Sequence, residues 1–245
     1  MIRRFLVLVM IGGATAAGQF PAPPAEPAAK EQTTEKPAVE RLDASRYRIK
    51  EIDFNSKTRE IRFPATVNMT KDLLEFLIVH NNGKIHESLL KTGISATDLN
   101  VAFNLLRYQP SPELHAEPTS PEDPTGKFPA VDDEVKKSAR IRIEVEWRDG
   151  ENLRKVPINE WIQHAATGGT MPAGPWVYGG SEVSEGKFQA ETTGDIAAIY
   201  LSRSALINYP GKDNADDTVW FVYPKRVPPL DSPVTVIITP FSEKP

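Results

Sequence analysis

The residues best suited to chemistry are a histidine, a carboxylate and a hydroxyl in a row, His86-Glu87-Ser88. His86 could act as a general base or a metal ligand, with His80 as a second ligand across the Asn82-Gly83 turn. The zinc motif HExxH is absent, because Leu90 occupies its last position. These residues suggest one hypothesis, a His-dependent or metal-assisted hydrolase centred on His86.

An extended strand is predicted for residues 85–90, and neighbouring side chains of a strand point to opposite faces. His86 and Ser88 would then share one face while Glu87 points to the other, so the imidazole and the carboxylate would not act together. In the alternative interpretation, these side chains hydrogen-bond the backbone near a turn. We therefore assign no catalytic residue and no metal ligand, and we keep as candidate binding residues His80, His86, Glu87 and Ser88.

A second candidate region is the oxygen-rich loop 212–217, in which Asp216 and Asp217 are candidate binding residues. Calcium favours such clusters, but the spacing lacks the glycine and the distal glutamate of a calcium-binding hand. A solvated loop with an Asx turn is the simpler interpretation. No cofactor is predicted.

The four tryptophans offer a third possibility, a groove for a carbohydrate or a peptide. Trp147 and Trp161 lie on apolar stripes, where core packing is the usual role. Trp176 and Trp220 fall near strand starts beside tyrosines, so one of them could be exposed.

Composition excludes several classes of function. The chain has 245 residues and no cysteine, which excludes disulfides, thiolate nucleophiles and cysteine-ligated clusters. Its net charge of −4 argues against nucleic acid as a partner, because phosphate binding depends on clustered lysine and arginine.

The first 18 residues are predicted to be a secretory signal peptide. Arg3 and Arg4 form a positive start, residues 5–11 are apolar, and Ala14-Thr15-Ala16 has the pattern of a cleavage site. An uncleaved anchor is the alternative, but the apolar run is short for a bilayer core of about 30 Å. The chain is therefore expected to be periplasmic or secreted, with no integral membrane segment after leader cleavage.

Residues 19–41 are rich in proline and alanine and are predicted to form a flexible tether. Residues 42–245 are predicted to form a single domain, with a proline-rich loop at 110–129. Its clearest element is a hairpin: the apolar run 73–80 forms a covered strand, Asn82-Gly83 turns the chain, and residues 85–90 return.

Two amphipathic helices are predicted. Ser95 is a suitable N-cap for the first, whose apolar stripe comprises Leu99, Ala102, Phe103 and Leu106. Residues 139–148 alternate as a strand, Asp149-Gly150 turns into a second strand ending at Pro157, and residues 158–165 form the second helix. The last third is expected to be rich in strands, near 176–178, 187–191, 196–201, 219–222 and 234–239. The predicted fold class is therefore α+β, with mostly antiparallel strands and two amphipathic helices.

Several segments resemble the YdjY-domain proteins of bacterial envelopes. They are Ile61-Arg62-Phe63-Pro64, the run LEFLIV, the segment 83–90 that contains His86-Glu87-Ser88, and C-terminal pieces that include Asp216-Asp217 and Pro233-Val234-Thr235-Val236. The resemblance implies an exported or membrane-tethered protein and does not imply a reaction. Some members are labelled ferredoxin-like, but a chain without cysteine cannot hold a thiolate-ligated cluster.

Together these observations favour an exported, non-catalytic binding or accessory module. Its expected partner is an envelope protein or a small ligand. The alternative functions are the His86-centred hydrolase and an accessory protein that docks to a redox complex without carrying a cofactor. No nucleophile, acid–base pair or metal motif has the spacing that its chemistry requires, which is why the enzyme hypothesis comes second.

Overall fold

A computed structural model describes residues 38–117 and 126–242. The predicted signal peptide, most of the predicted tether and the middle of the proline-rich loop lie outside these residues. The described residues form sixteen strands: β1 (Glu40–Arg41), β2 (Arg46–Ile49), β3 (Ile52–Asn55), β4 (Ile61–Val67), β5 (Phe76–His80), β6 (Ser88–Thr92), β7 (Arg140–Asp149), β8 (Asn152–Pro157), β9 (Ile162–His164), β10 (Trp176–Tyr178), β11 (Val183–Ser184), β12 (Lys187–Phe188), β13 (Asp195–Ala198), β14 (Ile207–Asn208), β15 (Trp220–Val222) and β16 (Pro233–Pro240).

Helices are short and few in the described ranges. They are α1 (Ala96–Leu105), α2 (Asp133–Ala139) and α3 (Gln189–Thr193), with two 3₁₀ helices at Ile85–Glu87 and Ile158–Trp161. Within the described part of the chain, no helix has the length and apolarity needed to cross a membrane.

Eight strands close into a barrel in the order β4-β16-β7-β10-β14-β13-β5-β6, and β6 pairs back onto β4. The described residues are therefore mostly β, with 38% in strands and 15% in helices, and the predicted α+β class is wrong. The physical reason is that closure depends on pairing between strands that are distant in the chain, such as β4 with β16, and local patterns do not specify such pairs.

The predicted hairpin around Asn82-Gly83 is also wrong, because β5 and β6 are parallel. Phe76 lies opposite Ser88 and His80 opposite Thr92, so residues 81–87 run back along the whole of β5 before β6 begins. Gly83 packs closely against the connection before β13, where an added Cβ would lie 3.2 Å from the Thr193 carbonyl oxygen. Strand β6 also pairs with β4 on its other side, and that pairing is antiparallel.

Several local predictions are confirmed. Helix α1 begins after Ser95, whose side chain accepts a hydrogen bond from the backbone N–H of Asp98. Strands β7 and β8 form the predicted hairpin through Asp149-Gly150. Strand β4 runs without interruption through Pro64, which is exposed on its outer face.

The second predicted helix, at 158–165, is wrong. Its first half is the 3₁₀ helix and its second half is β9, which pairs with β15. Ile158, Trp161 and Ile162 are all buried, so the helical spacing of apolar residues reflects burial rather than an α-helix. Residues 187–191 are divided between β12 and α3, and β14 was not predicted.

The barrel interior holds the main hydrophobic core. Alternate residues of β4 and β16 point into it, namely Ile61, Phe63, Ala65 and Val67 from β4 and Val234, Val236 and Ile238 from β16. The residues between them, such as Pro64, Thr66 and Thr235, face outward. This outer face forms the floor of the groove described below.

Candidate functional site

The His86-Glu87 pair does not lie in a strand, so the prediction of an extended segment there is wrong. Both residues belong to the 3₁₀ helix Ile85–Glu87, and Ser88 starts β6. Consecutive side chains of a 3₁₀ helix are about 120° apart rather than opposite. Nε2 of His86 lies 3.3 Å from Oε1 of Glu87, so the imidazole and the carboxylate are neighbours.

Exposure distinguishes the three candidates of this segment. The side chain of His86 is 73% exposed and that of Glu87 is 31% exposed, so water weakens their interaction. Ser88 is fully buried, and its Oγ donates a hydrogen bond to the carbonyl oxygen of Leu90 at 2.7 Å. Ser88 is therefore a structural residue, unavailable to a ligand.

A further carboxyl group joins the pair: Glu75, which immediately precedes β5. Burial, and then the nearby negative charge of Glu87, raise the pKa of Glu75 above its ordinary value. The two residues are neighbours, since the backbone N–H of Glu75 donates a hydrogen bond to the carbonyl oxygen of Glu87 at 3.1 Å. Asp217 contributes more negative charge, and Lys84 partly offsets it. We refer to Glu75, Glu87 and Asp217 as the carboxyl cluster.

Replacing Glu87 with glutamine should lower the pKa of Glu75 towards its ordinary value without restoring it, because burial remains. Carboxyl ¹³C NMR titration of the two proteins measures this pKa directly. Asp217→Asn is the matched control: Asp217 is the weaker of the two negative neighbours, so the pKa should fall less. An unchanged pKa in the Glu87 variant would show that burial alone sets it.

His80 lies apart from His86, so the two histidines do not form the proposed ligand pair. His80 ends β5, whereas His86 precedes the first residue of β6, at the other end of the strand. Four residue steps along a strand correspond to about 13 Å. Nδ1 of His80 instead accepts a hydrogen bond from the backbone N–H of Asn82 at 3.2 Å.

Asp216 forms a turn rather than a ligand set. Its Oδ1 accepts hydrogen bonds from the backbone N–H and the hydroxyl of Thr218, at 2.9 and 2.6 Å. These bonds lower the pKa of Asp216. In residues 38–117 and 126–242, no group of three or more histidine and acidic side chains is placed to hold a metal ion.

The tryptophans divide differently from the prediction. Trp176 and Trp220 are both buried, at 0% and 4% exposure, as is Trp161. Trp147 is the half-buried one, and its ring packs edge-on against Trp161 at 5.1 Å. Trp147 is among the residues that line a concave surface on the outside of the barrel.

This concave surface is a groove of about 680 Å³ on the outside of the barrel, and the motifs considered above did not predict it. It crosses β6, β4, β16 and β7, from the β2–β3 turn to the β7–β8 hairpin. It is lined by Glu51, Pro64, Ala65, Thr66, Asn81, Lys91, Thr92, Gly93, Glu146, Trp147, Arg148, Leu153, Pro233, Val234 and Thr235. We call this the outer groove.

Strand register explains the floor of the outer groove. Thr66 lies opposite Pro233, and Pro64 lies opposite Thr235, so each proline on one strand faces a threonine on the other. The alternating patterns of β4 and β16 indicate which residues face outward. They do not reveal that β4 and β16, which are far apart in the chain, are neighbours, so the groove cannot be found from local sequence.

Comparison with known proteins gives one relationship. A protein-family model described as the YdjY domain matches residues 52–239, which is most of the chain and includes the carboxyl cluster and nearly all of the outer groove. No curated protein and no solved structure matches the chain.

Proposed function

The chain belongs to the YdjY-domain family, and from this premise we propose that it is an exported, non-catalytic binding module that holds a partner or ligand in the outer groove. The groove itself carries the proposal. Its volume of about 680 Å³ falls within the usual range for ligand sites of about 300–1,000 Å³. Its lining combines apolar surface with uncommitted polar groups, which is typical of recognition sites.

A photo-crosslinker tests whether the groove is occupied in the cell. Benzoyl-phenylalanine replaces Thr235 on the groove floor in the full chain, which is irradiated in cells that naturally make the protein. The matched control places the same group at Thr58, in an exposed turn outside the groove. We expect discrete adducts from position 235 only. Adducts from neither position, or equal adducts from both, would overturn the proposal.

Export is a separate part of the proposal, and it is supported by the leader pattern of residues 1–18 and by the resemblance to envelope proteins. Intact mass measurement of the protein from a periplasmic or secreted fraction should show a start within about two residues of Ala16. A full-length chain that remains in the cytosolic fraction would contradict it.

The His86-centred hydrolase remains the second candidate, because one contact favours it. Nε2 of His86 lies 3.3 Å from Oε1 of Glu87, an arrangement in which the carboxylate could orient the imidazole as a general base. The exposure of His86 counts against the idea, since water surrounds most of the ring. Turnover of an ester panel that disappears in a folded His86→Ala variant would favour hydrolysis over binding.

A further inference from the structure

We propose that the occupant of the outer groove is a short extended polypeptide segment of a partner protein, held by its backbone and by two opposite charges. This inference rests on the proposed function and names the class of ligand. Three observations support it: the dimensions of the groove, its free hydrogen-bonding groups, and its two unpaired charges.

The first observation is length. The groove crosses four adjacent strands, β6, β4, β16 and β7, and reaches Leu153 on β8. Strands lie about 4.8 Å apart, so the path measures about 14–19 Å. An extended chain advances about 3.3 Å per residue, so four to six residues would fill it.

The second observation is the free polar groups that line the groove. The hydroxyls of Thr66 and Thr235 and the side-chain amide of Asn81 line the groove, and none forms a hydrogen bond to another described residue. Hydroxyl and amide groups both donate and accept. They therefore match the alternating N–H and C=O groups of a peptide backbone. The two prolines between them keep the floor partly apolar.

The third observation is charge. Two of the four charged side chains in the groove already have partners: Lys91 pairs with Asp231 at 3.2 Å, and Glu146 pairs with Arg62 at 2.6 Å. Glu51 and Arg148 form no ion pair with any described residue, and they come from the β2–β3 turn and the β7–β8 hairpin. One negative and one positive group fit a segment that carries both signs.

The apolar wall beside Arg148 adds an anchor point. Leu153 lies opposite Arg148 in the β7–β8 hairpin and is 61% exposed, so it forms an apolar wall beside the charge. An apolar side chain of the bound segment would cover this wall. A neutral oligosaccharide would use the wall too, but it would leave Glu51 and Arg148 without charge partners.

Selection from a phage-displayed library of random dodecapeptides on the purified chain tests the proposal. We expect enriched peptides with an acidic, a basic and an apolar residue within four to six positions. Synthetic copies should bind the wild type, and binding should disappear in Thr235→Trp, which fills the floor. Thr58→Trp, in an exposed turn outside the groove, should bind normally.

Charge changes give the specific readout. Arg148→Ala and Glu51→Ala should each weaken binding of the selected peptide about two- to fivefold, as expected for exposed ion pairs. Arg154→Ala, on the same hairpin but outside the groove, should leave the affinity unchanged. Arg148→Glu should bind better to a peptide whose acidic residue has been changed to lysine than to the original.

The outcomes separate this inference from the proposed function. Suppose that position 235 gives crosslinks but no peptide is enriched, or that the protein retains neutral oligosaccharides on a glycan array. Either result would overturn the inference that the ligand is a polypeptide, while the proposed function as a binding module would stand. Enriched peptides that bind Thr235→Trp as well as the wild type would overturn the groove as their site. Absence of crosslinks would overturn the proposed function itself.

Discussion

Replacing Phe103 with alanine is expected to lower the free energy of unfolding by about 3–5 kcal/mol, the usual cost of deleting a buried aromatic ring. Phe103 lies on α1 and is fully buried. Its ring stacks on Tyr178 at a centroid distance of 4.2 Å and meets Tyr108 edge-on at 5.2 Å. The substitution would leave a cavity between the helix and barrel strand β10, and the rigid barrel wall could fill little of it.

The same helix provides the control for this prediction. Leu105 is 51% exposed, so Leu105→Ala should change the free energy of unfolding by no more than about 0.5 kcal/mol. Urea denaturation followed by tryptophan fluorescence measures both variants. Similar losses from the two substitutions would show that α1 does not pack on the barrel as the structure has it.

Replacing Asp195 with asparagine is expected to stabilise the protein at pH 7 by about 1–2 kcal/mol, since a buried neutral amide costs less than a buried charge. Asp195 begins β13 and is 3% exposed. Its Oδ1 has no hydrogen-bond partner among the described residues, and its Oδ2 receives only a 3.4 Å contact from the Ser202 hydroxyl. Lys84 is the cation that acts on this carboxyl, but it forms no ion pair within 4.0 Å in the described residues.

The ionisation of Asp195 should also make the free energy of unfolding depend on pH. Burial raises the pKa of Asp195 above the ordinary 3.8, although the nearby hydroxyls of Thr193 and Ser202 and the charge of Lys84 oppose it. The unfolded chain therefore loses this proton at lower pH than the folded protein. Stability attributable to this group is full below pH 3.8 and declines as pH rises through the folded pKa.

Thermal unfolding of the wild type and Asp195→Asn across this pH range measures the effect. The two proteins should differ least at pH 3 and most near neutrality. Asp133→Asn is the control, because its side chain is 99% exposed, and its stability should follow the wild type. A variant that is less stable than the wild type at pH 7 would show that Asp195 has a charge partner in the folded state.

Local sequence predicted the local elements of this fold. The serine cap and the stripe containing Phe103 predicted α1, because a helix is stabilised by contacts three and four residues apart. The alternation in 139–148 and the Asp149-Gly150 turn predicted the β7–β8 hairpin for the same reason. In each case the interacting residues are near one another in the chain.

Local sequence failed where the partner of a segment is distant. The apolar runs at 73–80 and 85–90 look like two arms of a hairpin, but the second segment turns through a 3₁₀ helix and pairs in parallel with the first. The geometry of His86 and Glu87 follows from that turn. In a strand the two side chains would point to opposite faces. In the 3₁₀ helix Nε2 of His86 lies 3.3 Å from Oε1 of Glu87.

The sequence by itself excluded disulfides, thiolate nucleophiles and cysteine-ligated clusters, and it determined the positions of α1 and the β7–β8 hairpin. The absence of cysteine is a property of composition, and helical or alternating patterns act over a few residues. Only the tertiary structure decided that eight strands close into a barrel and that Thr66 and Thr235 share an outer groove. Strand pairing joins residues far apart in the chain, and its free energy depends on both partners, so neither segment specifies it alone.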